Sequence, residues 1–331
     1  MTKVFKSPQI INKENDKIKT HLFLPINLNY NRISEGGLRK KGIFKISDQD
    51  KPLISIITTN LNDDLESTIL SVIDQDYENI EFIIKDGGSD ETTRKILEFY
   101  NDNIDYWVIE KDNGIYDGIN GGLKVATGDY IVILDSGDVL NKNALNSIVK
   151  LAKNNPKADC LLGSCLKQRL MHGYRPDEIN LRFNIFASNS GSFFLKREAY
   201  KTIGFYDTRY IASADYDLLY KMIVKYKMVG VCGDKDNILS IKPEGGFSDQ
   251  YPFLKTLYDE CRIRFNNNQN FLIIFYIFIA RCISKILSRI KKFDGNKMSN
   301  YLPNENTNLE IKKARAYYKN ILNKRKFLRN A

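Results

Sequence analysis

Histidine is nearly absent from this chain, with two in 331 residues. His21 and His172 alone give no basis for a histidine-built metal centre or a hydrolytic triad, both of which draw on imidazole nitrogens. Cysteine is sparse as well: five residues, an odd number, with no paired metal-type spacing. The thiols therefore read as reduced, with Cys160 and Cys165 as core, and a disulfide framework is not expected. Long apolar runs are missing too. Phe271 to Ala280 supplies ten such residues, about half of what a helical bilayer span needs. The opening MTKVFKSPQIINK has no apolar h-region, so no secretion signal is expected and the address reads as cytoplasmic. No internal repeat or low-complexity linker stands out, although Asn266–Asn270 and Asn296–Asn308 read as loops.

Positive charge is present but unevenly placed. The net charge is +10, yet residues 262–331 hold 16 Lys or Arg against 3 Asp or Glu, a balance of +13 that leaves −3 for residues 1–261. The basicity is thus a property of the tail. Within Phe271 to Lys292, Arg281, Lys285 and Arg289 recur every four residues, opposite Ile283, Ile286, Leu287 and Ile290. Such a helix suits either the surface of an anionic membrane or packing on the rest of the chain or a dimer partner. Nucleic acid is not an expected partner, because the tail carries no stacking or groove-reading module.

The densest chemical signal is Tyr130 to Leu140, YIVILDSGDVL, a run of β-formers that stops in Asp135 and Asp138. Upstream, LISIITT (Leu53–Thr59), IEFIIK (Ile80–Lys85) and IDYWVIE (Ile104–Glu110) read as strands. They alternate with helical patterns over Asp63–Gln75, Glu91–Tyr100 and Ile115–Ala126, with Ser89 or Asp90 as the N-cap of the second. Strands alternating with helices of about ten residues imply βαβ units and a mostly parallel sheet, an α/β fold. Ligands bind at the carboxyl edge of such sheets, so the strand ends at Asn60, Asp86 and Asp135 should converge on one crevice. Two close carboxylates there suit Mg²⁺ or Mn²⁺, which commonly takes one or two protein carboxylates and completes its shell with phosphate and water.

PLISIITTN, IIKDGGSDET and EKDNGIYDGINGGLKVATGDYIVILDSGD, in this order and spacing, resemble the nucleotide-sugar domain of the family 2 glycosyltransferases, which have the GT-A fold. The resemblance covers about Pro52 to Asp249 and is strongest to bacterial members that build surface polysaccharides; GGLRKKGIFK (Gly36–Lys45) resembles the lead-in of that subgroup. It implies that Thr58, Thr59 and Asn60 line the base and ribose side. Asp86 would accept the imide N–H of a uracil or thymine, and Asp112, Asn113, Gly114 and Asn120 would sit by the diphosphate and sugar. An arginine often precedes the residue matching Asn120, whereas this chain has Ile119, which leaves the diphosphate charge to the metal or to a lysine such as Lys124. Many relatives read Asp-x-Asp-Asp where this chain has Asp135-Ser136-Gly137-Asp138; Asp138 is taken as the direct ligand and Asp135 as a ribose or metal contact. In ASADYDLLYKM, Asp215 matches the general base and Asp217 the second acidic position. Asn189 and Ser190 stand where His-Gln often occurs in the acceptor segment, and Gly245 and Gly246 match a loop that closes over the diphosphate.

The resulting plan is an extension (1–50), a GT-A domain (51–260) and a basic helical tail (261–331). The implied activity is inverting transfer from a UDP- or dTDP-sugar to a glycan or lipid-linked acceptor, peripheral to the inner face of a bacterial membrane. A sugar nucleotidylyltransferase is the first alternative, but it should show a glycine-rich basic signature near the first strand, which TTNLNDD is not. The second, a noncatalytic sugar-nucleotide-binding scaffold, should lack the base.

Overall fold

A computed structural model of the chain describes residues 8–26, 31–48, 50–181, 190–243, 251–290 and 305–330. The expected roles of Asn189, Gly245 and Gly246 fall outside the described residues. The strands are β1 (Arg32–Gly36), β2 (Ile54–Asn60), β3 (Ile80–Asp86), β4 (Tyr106–Glu110), β5 (Tyr130–Ile133), β6 (Val139–Leu140), β7 (Cys160–Leu162), β8 (Ser164–Leu166), β9 (Leu170–Met171), β10 (Phe193–Lys196), β11 (Gly230–Cys232) and β12 (Ile238–Ile241). The helices are α1 (Leu65–Ile73), α2 (Glu91–Phe99), α3 (Ile115–Val125), α4 (Ala144–Asn154), α5 (Arg197–Ile203), α6 (Ala214–Tyr220), α7 (Phe253–Asn266), α8 (Phe271–Ile290) and α9 (Glu305–Asn330).

An eight-stranded sheet runs in the order β1-β4-β3-β2-β5-β10-β7-β11. Its centre, β4-β3-β2-β5, is parallel, with Asn60 opposite Asp86 in the β2–β3 register. Every residue of β2, β3, β4 and β5 is buried, as expected of strands covered on both faces. On one face Ile57, Ile83, Val108 and Ile131 pack with α3, α5 and α6. On the other, Ile54, Ile56, Phe82 and Ile84 pack with α1, α2 and α4. Gly122 lets α3 come this near, because a Cβ there would stand 2.3 Å from Ile57 Cγ2. The YIVILDSGDVL segment splits: β5 stays in the large sheet, and β6 joins a second sheet of order β6-β12-β8-β9. The DSGD turn is the bend between them.

The segment before β2 is integrated into the domain. β1 pairs antiparallel with β4, and Arg39, 3% exposed, forms an ion pair with buried Glu81. Arg39 also donates to the carbonyls of Leu22 and Val125 at 2.9 and 2.8 Å. Glu81 accepts from Ser55 Oγ at 2.5 Å and from Thr127 N at 2.7 Å.

The tail divides. α9 is a packed element: Ala314 and Ile321 are buried with Val139, Leu166, Ile238 and Ile241, and Arg325 and Lys324 pair with Asp64 and Asp74, the two caps of α1. In α8 the expected basic stripe divides: Arg281 turns toward α7, Lys285 stays exposed, and the side chain of Arg289 lies outside the described residues. Arg281 Nε lies 3.3 Å from buried Glu260, and Lys285 Nζ lies 5.2 Å from the centre of the Phe253 ring. Among the described residues no helix is long and apolar enough to cross a membrane.

Removing one member of a fully buried ion pair strands the other, a loss of about 3–5 kcal/mol. Arg39→Leu should therefore lower the stability measured by chemical denaturation by that order. A shift below about 1 kcal/mol, the worth of an exposed pair, would show that the Arg39 clasp does not hold the lead-in to the sheet.

Candidate functional site

The carboxyl ends of β2 and β5, the start of α3 and the end of β12 enclose a cavity of about 420 Å³, within the range of small-molecule sites. Thr59, Asn60, Asp63, Asp112, Gly114, Tyr116, Asp117, Asp135 and Asp138 all contribute to its wall. Among the described residues its one lysine is Lys242. Asp112 is offset by Lys85 behind it, but the other four carboxylates share Lys242, an arrangement that favours cations, and an anionic ligand would need further positive charge to enter.

The DSGD turn is held from β2 and α1. Leu134 N donates to Ile57 O at 2.9 Å, Gly137 N to Thr68 Oγ1 at 3.0 Å, and Thr68 Oγ1 to Asp138 O at 2.8 Å. Gly137 has φ 88°, a left-handed conformation that explains glycine at the third position, since a second aspartate there would be strained. Asp138 is 3% exposed, whereas Asp135 keeps an open edge. Burial, and then the charge of Asp135, push the Asp138 carboxyl up to about 8, against partial relief from Lys242. Lys242 Nζ sits 3.5 Å from Asp135 Oδ2 and 3.7 Å from Asp138 Oδ2. Ser190 Oγ donates to Asp135 Oδ2 at 3.1 Å, which brings the expected acceptor segment to the same turn.

Several expected residues stand elsewhere. Thr58 is fully buried one residue below the strand end, and the wall is supplied by Thr59 and Asn60 instead. Asp86 lies behind Asn60, also fully buried; it accepts from Asn60 Nδ2 (2.7 Å), Ser89 Oγ (2.6 Å), Ser89 N (2.7 Å) and Gly88 N (3.0 Å). It can reach a nucleobase only by giving up one of these bonds. Asn120 is likewise committed: its amide donates to Tyr206 O at 2.8 Å and accepts from Tyr206 N at 2.9 Å. Lys124 caps the Phe205 ring instead of entering the cavity. Asp217 is buried, paired with Lys221 at 2.5 Å and bonded by Asn267 at 3.2 Å. Asp112 remains in the wall, accepting from Gly114 N at 3.1 Å with Lys85 Nζ 3.4 Å away.

Asp215 lies in the first turn of α6, one residue past the short element's Ser213 cap and Ala214. The Tyr206 ring stacks on Tyr116, centroids 5.6 Å apart, and the Tyr116 hydroxyl donates to Asp215 Oδ1 at 3.3 Å. Protein atoms crowd the Asp215 carboxylate although it keeps a solvent-facing edge. That crowding, the leading cause, raises its pKa, with Asp135 adding to the rise; hydrogen bonds from Tyr216 N and Tyr116 hold it down. Asn120 therefore acts through Tyr206 and Tyr116 on a carboxylate at the cavity edge. Sequence reasoning missed this chain of contacts, and it missed Lys242.

The model of the glycosyl transferase family 2 matches residues 54–212. Over these residues, just under half of the chain, it is similar to glycosyl transferase family 2. A Bacillus subtilis protein described as a teichuronic acid biosynthesis glycosyltransferase, TuaG, is 38% identical over 100 residues, 29% of this chain and 40% of that one. The chain thus spans less than half of that relative's length. Among solved structures, TarS 1–349 of Staphylococcus aureus in complex with UDP-GlcNAc aligns with TM-score 0.51 at 15% identity, over 74% of this chain and 76% of that one. The mannosyltransferase PcManGT of Pyrobaculum calidifontis, in complex with GDP-Man and Mn²⁺, aligns with TM-score 0.51 at 16% identity, over 75% and 77%. At such identities the likeness concerns the fold, which is GT-A as the family 2 pattern implies.

Among the described residues no group of three His, Cys, Asp or Glu side chains gathers around a point. Asp135 and Asp138 nevertheless fit a hard divalent ion, because the pair is oxygen-only, short of positive charge and open to a cavity that admits phosphate and water. A carboxyl whose folded pKa lies above its unfolded value of about 4 binds more protons folded than unfolded, so stability falls as pH rises between those values. The melting temperature of the metal-free protein should therefore drop relative to Asp138→Asn as pH rises from about 4 to about 8. Mn²⁺ should stabilise the wild type more at roughly pH 9 than at roughly pH 6, as binding to the unprotonated form demands. Equal Mn²⁺ shifts at both pH values, or equal shifts in Asp138→Asn, would remove Asp138 from the ligand set.

Proposed function

We propose that the chain is an inverting glycosyltransferase that moves a sugar from a UDP- or dTDP-activated donor to a lipid-linked glycan acceptor in bacterial surface polysaccharide synthesis. One observation carries this reading. The strand-end pair Asp135 and Asp138, with Lys242 beside them, lines a cavity whose wall residue Tyr116 hydrogen-bonds a further carboxylate, Asp215, suited to accept a proton. A nucleotide-binding scaffold needs the first group and not the second. The relative described as acting in teichuronic acid biosynthesis and the TarS complex with UDP-GlcNAc support the acceptor class and the uridine donor. The GDP-Man complex of PcManGT shows that the fold also takes guanosine donors, so the base preference is a matter for direct measurement.

In this reading Asn60, Thr59 and Asp112 bound the nucleoside side of the cavity, and Asp86 fixes Asn60 from behind. Lys242, the ammonium nearest the carboxylate pair, turns to the donor diphosphate. An Mg²⁺ or Mn²⁺ ion held by Asp135 and Asp138 would supply Lewis-acid stabilisation of the departing diphosphate. Asp215 takes the proton from the attacking acceptor hydroxyl as that oxygen bonds to the anomeric carbon and the carbon–diphosphate bond breaks. Its pKa, raised by crowding protein atoms, favours proton acceptance, and the Tyr116 hydroxyl on Oδ1 orients the carboxylate.

Asp215→Asn keeps size and hydrogen bonding but cannot accept the proton. Turnover should fall by roughly 10²-fold or more while calorimetric UDP affinity changes little. Near wild-type turnover would refute the assignment, and product of retained anomeric configuration would refute direct displacement.

Loss of a charge-assisted contact of about 1.5–3 kcal/mol should make Lys242→Met bind UDP roughly 10- to 100-fold more weakly. Unchanged affinity would confine Lys242 to holding the two aspartates together.

A further inference from the structure

α8 is amphipathic in the reverse of the usual sense. It spans 20 residues, about 30 Å, and touches the protein through a narrow stripe, Ile274 and Ile277, continued by Arg281 against Glu260, while Lys285 stays exposed beside Phe253. Its outward face carries Phe271, Leu272, Phe275, Tyr276, Ile283 and Ile286, each at least half exposed. α7 continues this surface with Leu254, Tyr258 and Phe265, which are 65–70% exposed. Cys261 and Cys282 lie within electrostatic range of each other across the seam. An apolar surface of this extent on two adjacent helices marks a docking site.

Charge decides the occupant. The two acidic residues of α7, Asp259 and Glu260, are both buried, and α8 contains none. The rim is cationic, with Lys255 exposed beside Leu254 and Tyr258, and Arg262 next to them along α7. Among the described residues of this hairpin no carboxylate is exposed, so a second copy would bring cations against cations. An anionic bilayer offers both what the rim attracts and what the apolar face needs: phosphate headgroups above an acyl boundary, where aromatic side chains also settle.

We propose that the outward face of α7 and α8 docks on an anionic lipid bilayer, lying in the headgroup region without spanning it. The hairpin is firmly attached to the domain. Arg264 is fully buried, its guanidinium over the Tyr216 and Tyr220 rings of α6 at 5.5 and 5.7 Å. Asn267, which ends α7, bonds Asp217, two residues past Asp215. Docking therefore places the helix that carries Asp215 beside the lipid surface. That the acceptor is lipid-linked rests on the proposed function; that the hairpin binds lipid does not.

The test is flotation of the full chain with vesicles of phosphatidylglycerol and phosphatidylethanolamine, and with phosphatidylcholine alone. The protein should float with the anionic vesicles, less so at high salt, and not with phosphatidylcholine. Phe275→Glu combined with Ile279→Glu should weaken vesicle affinity by roughly tenfold or more while melting temperature and UDP affinity stay unchanged. Ile283→Trp, a substitution at an exposed position, should show a blue shift in emission on adding anionic vesicles, which reads insertion even if the glutamate variant folds poorly. Failure of the wild type to float, or flotation indifferent to the glutamates and to salt, overturns the proposal. A dimer that the glutamates dissociate, with no flotation, would assign the face to a second copy. UDP turnover is measured separately, so loss of lipid binding leaves the transferase reading intact, and the reverse.

Discussion

The constraint on which the cleft depends is the cost of holding two aspartates at one strand end with one of them almost out of water. A buried carboxylate lacking full compensation costs several kcal/mol, and this protein meets the cost with neighbouring structure. α1 supplies the Thr68 and Ser71 hydroxyls, which fix the backbone of residues 137–140. Gly137 gives the turn its left-handed step. β6 then carries the chain into a second sheet, and β12 of that sheet ends at the lysine that faces both carboxylates. The second sheet is therefore what delivers the counter-charge. An ammonium there tolerates an empty site and remains close to any diphosphate that arrives.

The other half of the chemistry is arranged by side-chain contacts rather than by the sheet. α3 works at two levels: its start, Gly114 to Asp117, forms cavity wall, and one turn further on Asn120 grips the backbone of Tyr206. The grip fixes a stacked tyrosine pair whose outer member reaches Asp215. Burial holds the Tyr116 phenol well above its usual range, so it stays protonated and donates to the carboxylate. A side chain far from the diphosphate thereby sets the orientation of the proposed base.

Much of this was legible in the sequence. The β-branched runs located β2 to β5 to within a residue or two, and Asp90 caps α2, accepting from Thr93 N at 3.1 Å. The DSGD turn does line the cavity, while Asp215 touches that wall through the Tyr116 hydroxyl. What stayed hidden has a common cause. A polar residue at a strand end can face the ligand or satisfy its neighbour, and nothing local distinguishes the two; Asp86 and Asn120 do the second. Lys242 lies over a hundred residues beyond the aspartates it serves, in a segment whose glycines drew the eye instead. For α8 the helical period sorts apolar from basic positions, but it does not reveal which of them meet the protein. A buried acidic partner, Glu260, holds Arg281 against α7, while Lys285 remains exposed.

The same logic ties the far end of the chain to the cleft. α9 pairs Arg325 and Lys324 with the residues that cap α1 at either end, across about 250 positions of sequence, and buries Ala314 and Ile321 against β6 and β12. α1 holds the DSGD turn, β6 leaves that turn, and β12 leads to Lys242. The last helix therefore braces all three elements that fix the carboxylate pair, while α8, between α7 and α9 in sequence, leaves its apolar face to the outside. Deleting the chain from Phe271 onward would remove the brace together with the docking face, and any loss of donor binding would then say nothing about lipid. Substitutions confined to the exposed face of α8 separate the two roles, because they leave α9 on α1.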